Sequence, residues 1–278
     1  MVTGRHYWSS TGHFDGHLSK EVKRLGHNTA VLITGASERL GLAIGKDLVA
    51  RGYSVVLHAH SKLAIAQAEA RALSNAGGHC VAVGADLLDE CDVTTLIGAA
   101  AQAIGKPIQA LINNASIFEG DNAQDFTRDG WDRHFDMHVR VPCELARNLA
   151  LALPSGDTGA VVNIIDQRVF KLTPQFFTYT LSKAALATAT HTLAQALAPH
   201  VRVNGVAPGP IARNSRQAPE DFQRQIDATL LGIGSPTPDI VAAVAWLLSA
   251  RAVTGQVIAV DGGQSLIWQT PDVFGIVE

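Results

Sequence analysis

From Ala30 onward the chain repeats one pattern: a short apolar run rich in Val, Ile and Ala, a turn, then a longer Ala-rich amphipathic stretch. The runs fall at 31–34, 54–58, 79–84, 110–113, 160–165, 201–206 and 256–260, and the amphipathic stretches at 40–51, 63–76, 89–104, 130–153, 179–197 and 238–249. Short apolar runs without polar alternation suit strands covered on both faces. Strand, helix, strand repeated this often forces consecutive strands to lie parallel, with helices crossing between them. The predicted fold class is therefore α/β, a single-domain, Rossmann-like, doubly wound parallel sheet of about seven strands with helices on both faces. No break in composition divides 30–268, so the domain is read as 29–268.

Three segments depart from the rhythm. Residues 1–28 have no steady period and are read as a disordered arm; His6, His13, His17 and His27 lie there without i, i+4 spacing, so no metal site is expected. Residues 209–236 carry Pro210, Pro219, Pro236 and several arginines, with a short helical pattern near 220–231. An irregular insertion between the last strands of an open sheet reads as a substrate lid over the crevice. The tail, 269–278, is apolar enough to dock on a neighbouring subunit or on the chain's own pocket, and the sequence does not choose between them.

Composition excludes several classes. Charged residues are 17% against 47% hydrophobic, which is unlike a long disordered chain. With 22 Lys+Arg against 25 Asp+Glu the net charge is −3, so bulk attraction to nucleic acid is not expected. No apolar run approaches the roughly 18 residues of a membrane span, and residues 1–28 lack the apolar core of a signal peptide. Three widely spaced cysteines, Cys80, Cys91 and Cys143, fit neither a zinc knuckle nor a disulfide framework. A soluble, cytoplasmic globular protein is the expectation.

The first run leads into TGASERLGLAIG at 34–45. A tight turn feeding a helix presents backbone N–H groups and a positive helix end to a pyrophosphate. Gly35, Gly41 and Gly45 keep side chains away where backbone approaches phosphate or helix approaches sheet. Glycines after a strand also make plain turns, but this turn follows the first strand of a βα series, which favours a dinucleotide. Arg39 stands within it, either as a phosphate and substrate contact or as a solvated turn residue. The second run ends LHAHSK, 57–62. An NAD site usually places a carboxylate there for the ribose 2′-hydroxyl; His60, Ser61 and Lys62 stand there instead and favour the 2′-phosphate of NADP.

Tyr179 and Lys183 in YTLSK are spaced i, i+4 and share a helical face. A nearby ammonium lowers a phenol's pKa and lets it exchange protons, so Lys183 is expected to bring Tyr179 down. Asp166 lies thirteen residues before Tyr179, at the end of the fifth run, where an open α/β sheet places ligand-facing groups. It reads either as a proton-transfer group or as a cap of the next segment.

These motifs, with NNAS (113–116), NGVAPGP (204–210) and VDGG (260–263), match in order and spacing the short-chain dehydrogenase/reductase family. The resemblance covers nearly all of 30–266. Two positions depart from it: the family's usual serine is Asp166, and its usual asparagine in the helix between the fourth and fifth strands is His138. Together with Arg39 in place of the middle glycine, LHAHSK and NNASIF, these departures resemble the pteridine and dihydromonapterin reductase branch.

The resemblance implies an NADPH-dependent enzyme reducing a pterin or related C=N compound. It implies that Gly35, Arg39, Leu40 and Gly41 take the phosphates, that His60, Ser61 and Lys62 take the 2′-phosphate, and that Asp86 lies near the adenine. Asn114, Ala115, Pro208 and Gly209 would complete the cofactor site. Lys183 would hold the nicotinamide ribose and tune Tyr179, while Asp166 and Tyr179 serve proton transfer. Ser116 would hydrogen-bond near pterin and cofactor, Arg39 would touch both, and Phe118 would stack on the pterin. A homotetramer or homodimer packed through the two long helices is implied as well. Two other functions are weighed: a carbonyl reductase of a ketone or oxoacyl substrate, which would want serine at Asp166, and a nucleotide-binding scaffold without turnover, against which Tyr179 and Lys183 argue.

Overall fold

The computed structural model describes residues 25–211, 218–270 and 275. Its strands are β1 (Ala30–Ile33), β2 (Ser54–Ala59), β3 (His79–Gly84), β4 (Ala110–Asn113), β5 (Gly159–Ile164), β6 (Val201–Pro208) and β7 (Val257–Val260). They pair in the order β3-β2-β1-β4-β5-β6-β7, every pair parallel. The order reverses between β1 and β4, so the connections leaving these two strands diverge and open a crevice at their carboxyl ends. The predicted doubly wound sheet is the observed one.

The helices are α1 (Arg39–Ala50), α2 (Leu63–Asn75), α3 (Glu90–Ile104), α4 (Arg128–Phe135), α5 (Val141–Ala152), α6 (Phe177–Leu197), α7 (Pro219–Asp227) and α8 (Thr237–Ser249). On one face of the sheet, Ile44 and Leu48 of α1 and Val244 and Leu248 of α8 bury against Val31, Ile33 and Val55. On the other face, Leu96 and Ile97 of α3 and Leu145 and Leu149 of α5 bury against Leu32, Val56 and Leu111. β1, β2, β4, β5 and β6 are buried along their whole length, as the unbroken apolar runs require. β3 and β7 are the sheet edges and are only partly covered, which the same runs do not reveal.

Three boundaries differ from the sequence reading. The helix expected over 130–153 is interrupted: a wider, π-helical turn at Asp136–Arg140 separates α4 from α5. Pro142, in the first turn of α5, has no N–H to return to the His138 carbonyl, and a π-turn is one way a helix accommodates such a lost bond. Leu25 and Asn28, assigned to the arm, belong to the packed domain. Leu25 is buried in the core, and the Asn28 N–H donates to the Gly52 carbonyl at 2.7 Å. The rest of the expected arm, residues 212–217 of the expected lid, and 271–274 and 276–278 of the tail lie outside the described residues. Within the described part of the lid, the helix ends at Asp227 rather than 231; the buried Thr229 hydroxyl turns back to the Ile226 carbonyl at 2.8 Å. Among the described residues no helix is long and apolar enough to cross a membrane.

Candidate active site

The crevice at the carboxyl ends of the strands is a cleft of about 940 Å³. Its floor begins at the turn after β1. Gly35 has φ +63°, and a Cβ there would stand 2.9 Å from the Ala115 backbone. At Gly41 a Cβ would fall 2.5 Å from the Gly35 carbonyl oxygen and 2.6 Å from Asn114 Nδ2, so the first turn of α1 sits directly on the loop. At Gly45 the obstacle is Leu57 Cδ2 at 2.7 Å, a helix-to-sheet contact. Asn114 ties β4 to this turn: its Nδ2 donates to the Thr34 and Gly35 carbonyls, both at 2.9 Å. The N–H groups of Asn114 and Ala115 both donate to the Thr34 hydroxyl.

His58, which the sequence reading passed over, fixes the other side. Its Nδ1 accepts the Gly35 N–H at 3.2 Å and its Nε2 reaches the Ala85 carbonyl at 3.1 Å, which makes Nε2 the protonated nitrogen. Burial, partly offset by the bond to Ala85, pushes its pKa down to about 4. At the N-terminus of α1 no side chain caps the helix and no acidic residue occupies the first turn. Its leading N–H groups, at Arg39, Leu40 and Gly41, lack intrahelical partners by construction, and these three residues line the cleft. A bare, positively polarised helix end beside glycines that a Cβ would block fits a pyrophosphate.

Lys62 and His60 also line the cleft, whereas the exposed Ser61 does not. Each faces a carboxylate from a distant segment: Lys62 Nζ lies 2.5 Å from Glu38, and His60 Nε2 lies 3.8 Å from Asp86. Asp86 Oδ1 accepts the Leu88 N–H at 2.9 Å, and Asp89 caps α3 by accepting the Asp92 N–H. On the far side, Pro208 ends β6 and the Gly209 N–H donates to the Ser235 hydroxyl at 2.7 Å.

At the centre stand Asp166, Tyr179 and Lys183. The Tyr179 hydroxyl donates to Asp166 Oδ2 at 2.9 Å. Asp166 Oδ1 accepts the Arg168 N–H at 2.8 Å, capping a 3₁₀ turn at Gln167–Val169, so the carboxylate is the cap weighed for it while its other oxygen meets the Tyr179 hydroxyl. The Arg168 guanidinium closes the set at 3.2 Å from Asp166 Oδ2. It also stands 5.5 Å from the Phe118 ring centre and 5.2 Å from that of Phe176. Arg168 was not singled out from the sequence; its position two residues after Asp166 in a surface-like DQR was the available signal.

The expectation that Lys183 lowers the Tyr179 pKa is corrected. Tyr179 is fully buried, and burial followed by the adjacent Asp166 charge raises its pKa well above 10.0. Arg168 and the Ser116 hydroxyl oppose this more weakly. Lys183 Nζ donates to the Ile164 carbonyl at 2.9 Å and stands 5.7 Å from the Tyr179 ring centre. Burial brings Lys183 itself down to about 8, against the pull of Asp166. Tyr179 is therefore a neutral phenol holding its proton toward a carboxylate.

Phe118 packs parallel to Phe176 at 4.4 Å and edge-on to Tyr179 at 4.8 Å. Phe176 holds the left-handed conformation, φ +56°, at the start of α6, which is unusual for a bulky residue and turns the chain into the helix. Ser116 is exposed to the cleft. Behind it, His138 from the π-helical turn is buried between the Ser116 and Ser182 hydroxyls.

A family model described as enoyl-(acyl carrier protein) reductase matches residues 35–265. An uncharacterized oxidoreductase of Methylorubrum extorquens is 34% identical over 84% of this chain and 96% of its own length. The dihydromonapterin reductase of Klebsiella pneumoniae is 29% identical over 85% of this chain and 96% of its own. Among solved structures, FolM alternative dihydrofolate reductase 1 from Brucella canis, complexed with NADP, superposes with a TM-score of 0.87 at 47% identity, covering 90% of this chain and 99% of that one. These matches run over nearly the whole lengths of the relatives, and the chain belongs to the short-chain dehydrogenase/reductase family of oxidoreductases.

Proposed function

We propose that this enzyme is an NADPH-dependent reductase of the C=N bond of reduced pterins. The observation that carries the reading is the 2.9 Å hydrogen bond from Tyr179 to a carboxylate, Asp166, where the family usually has a serine hydroxyl. A ring nitrogen gains a proton as hydride reaches the neighbouring carbon and passes through a cationic, iminium-like state that a carboxylate stabilises. A ketone oxygen becomes anionic, which the same carboxylate opposes. That the K. pneumoniae relative is a dihydromonapterin reductase and the B. canis relative an alternative dihydrofolate reductase supports the assignment.

NADPH, when bound, supplies the hydride. The residues fit it: Gly35, Arg39, Leu40 and Gly41 would take the pyrophosphate, and His60, Ser61 and Lys62 the 2′-phosphate. Asp86 would lie near the adenine, and Asn114, Ala115, Pro208 and Gly209 would complete the cofactor wall. Lys183, anchored on Ile164, would hold the nicotinamide ribose. Tyr179 and Asp166 share one proton between them and hold it at the ring nitrogen. Arg168 keeps the carboxylate oriented toward Tyr179. Ser116, Arg39 and Phe118 would receive the substrate ring.

NADPH oxidation measured with a 7,8-dihydropterin, dihydrofolate, a simple ketone and an oxoacyl ester tests the reading. Wild type should turn over the dihydropterin, and Asp166→Ser should reduce that rate by about 10² to 10⁴ while sparing the ketone. Turnover of the ketone with none of the dihydropterin would transfer the assignment to a carbonyl reductase.

A further inference from the structure

We infer that His138 fixes the hydrogen-bond polarity of Ser116, so that this residue offers the substrate only lone pairs and selects ligands bearing an N–H. The inference deepens the pterin reading and rests on it for the identity of the ring.

Two separate contacts determine which nitrogen of His138 carries the proton. On one side the Ser182 hydroxyl donates to the Tyr179 carbonyl at 2.8 Å. A hydroxyl has one proton, so toward His138 Nδ1, 2.8 Å away, Ser182 must accept, and Nδ1 is protonated. On the other side the Ile117 N–H points at His138 Nε2 at 3.2 Å. A backbone N–H only donates, so Nε2 must be bare. Both contacts give the same tautomer.

The consequence falls on Ser116. Its oxygen lies 2.9 Å from the bare Nε2, closer than the 3.3 Å to the Ile117 carbonyl; Tyr179, which Ser116 also reaches, is a neutral phenol and a weaker acceptor than imidazole, so the single proton goes to the imidazole. What remains exposed in the cleft is a pair of acceptor sites. The ring stays neutral in this role: burial, then the charge of Lys183 and the neighbouring His134, lowers its pKa far below 6.5. Groups facing it are Tyr179, edge-on at 5.3 Å, and His134, stacked at 5.7 Å. Asp136 and Arg140 on its own turn are paired with each other.

Ser116 and Asp166 then face the cleft as two acceptors. A heterocycle with amino and ring N–H groups satisfies both. A carbonyl oxygen meets lone pairs at Ser116 unless the hydroxyl rotates away and gives up its bond to His138, leaving Nε2 with the longer Ile117 contact alone. The family's asparagine would not impose this, because its amide carries both a donor and an acceptor. His138 is accordingly a positioning residue, acting through Ser116.

Long-range proton–nitrogen correlation spectra of the intact enzyme labelled with ¹⁵N-histidine read the tautomer directly, assigned by comparison with His138→Gln. One ring should remain neutral and Nδ1-protonated from pH 5 to 9 and disappear in the variant. An Nε2-protonated or titrating His138 overturns the inference. If His138→Gln does not fold, assignment proceeds through contacts with Tyr179 in wild type. Ser116→Ala should raise KM for a 7,8-dihydropterin tenfold or more, with kcat changed less, and leave KM for a ketone unchanged or lower. Equal effects on both substrates overturn the selecting role of Ser116. If wild type turns over no dihydropterin while the tautomer is as stated, the pterin reading fails and the polarity assignment stands.

Discussion

His58 shows what a single residue can do for this cleft without touching a ligand. It is buried, neutral and wedged between the Gly35 N–H and the Ala85 carbonyl. Its pKa falls from 6.5 in the unfolded chain to about 4 in the fold, so the unfolded state binds a proton first on acidification. Stability from this group is therefore complete above pH 6.5 and is lost as pH falls toward 4, by about 3 kcal/mol in all. Urea unfolding of wild type and His58→Asn between pH 7 and 4 should show the wild-type advantage shrinking with acid; parallel curves would exclude His58 as the source. Protonation of the folded enzyme, half complete only at about pH 4, also removes the acceptor for Gly35, so NADPH affinity should hold to about pH 5 and weaken as pH approaches 4. Tyr179 supplies a second residue-scale expectation. Tyr179→Phe keeps the ring against Phe118 but deletes the proton, so kcat should drop by about 10² to 10⁴ with NADPH still bound. Near-normal turnover would remove the phenol from proton transfer. Tyr179, Lys183 and Asp166 were legible because short spacings and strand ends mark them. His58 and Arg168 were not: a buried histidine bonded across 23 positions leaves no local pattern, and the place of Arg168 beside Asp166 does not reveal that it lies over two rings. The sign of the Tyr179 shift was missed for a related reason: spacing reveals the lysine one turn away but neither full burial nor the carboxylate in contact.

At the scale of elements the strands were readable almost to the residue, because a buried parallel strand needs an unbroken apolar run and little else satisfies that. The break in the helix before β5 was not, although Pro142 stood in view. A proline in an otherwise amphipathic stretch can start, kink or widen a helix, and only the fold shows that here it brings His138 under Ser116. The glycines of α1 give this scale its sharpest test. A methyl at Gly41 would collide with the Gly35 carbonyl and Asn114, both part of the phosphate turn, whereas at Gly45 it meets the tip of the Leu57 side chain. Backbone cannot yield as a leucine terminus can. Gly41→Ala should therefore lower NADPH affinity at least tenfold, about 1.4 kcal/mol. Gly45→Ala should instead cost about 1–3 kcal/mol of stability and leave the affinity nearly unchanged. Titration of both variants by cofactor fluorescence separates the two roles; equal losses of affinity would show that the turn and the helix–sheet contact are not independent.

The whole molecule couples these parts because the cleft draws on segments at the ends of β1, β2, β4, β5 and β6, which are distant in sequence and meet only in the folded sheet. A cofactor lying across them binds the native state alone and stabilises it by mass action. At one hundred times its dissociation constant the gain is about 2.7 kcal/mol, which for a chain of this size corresponds to roughly 5–10 °C in Tm. The phosphate-specific part of that gain is assigned to a small region. Lys62 is half exposed and paired with Glu38, itself half exposed, so in the unliganded enzyme the pair adds little to stability. On the proposed reading it brings a positive charge to the mouth of the cleft, where a 2′-phosphate would replace or join the carboxylate. Melting curves with NADPH and NADH at equal concentration should therefore show the larger shift with NADPH. Lys62→Ala should leave the unliganded Tm within about 2–4 °C, since removal of an exposed pair costs at most about 1 kcal/mol. The same variant should bring the NADPH shift down toward that of NADH. If instead NADH stabilises wild type as strongly as NADPH, Glu38 and Asp86 are neutralising the cations at the ribose, and the preference must be sought in another part of the cleft.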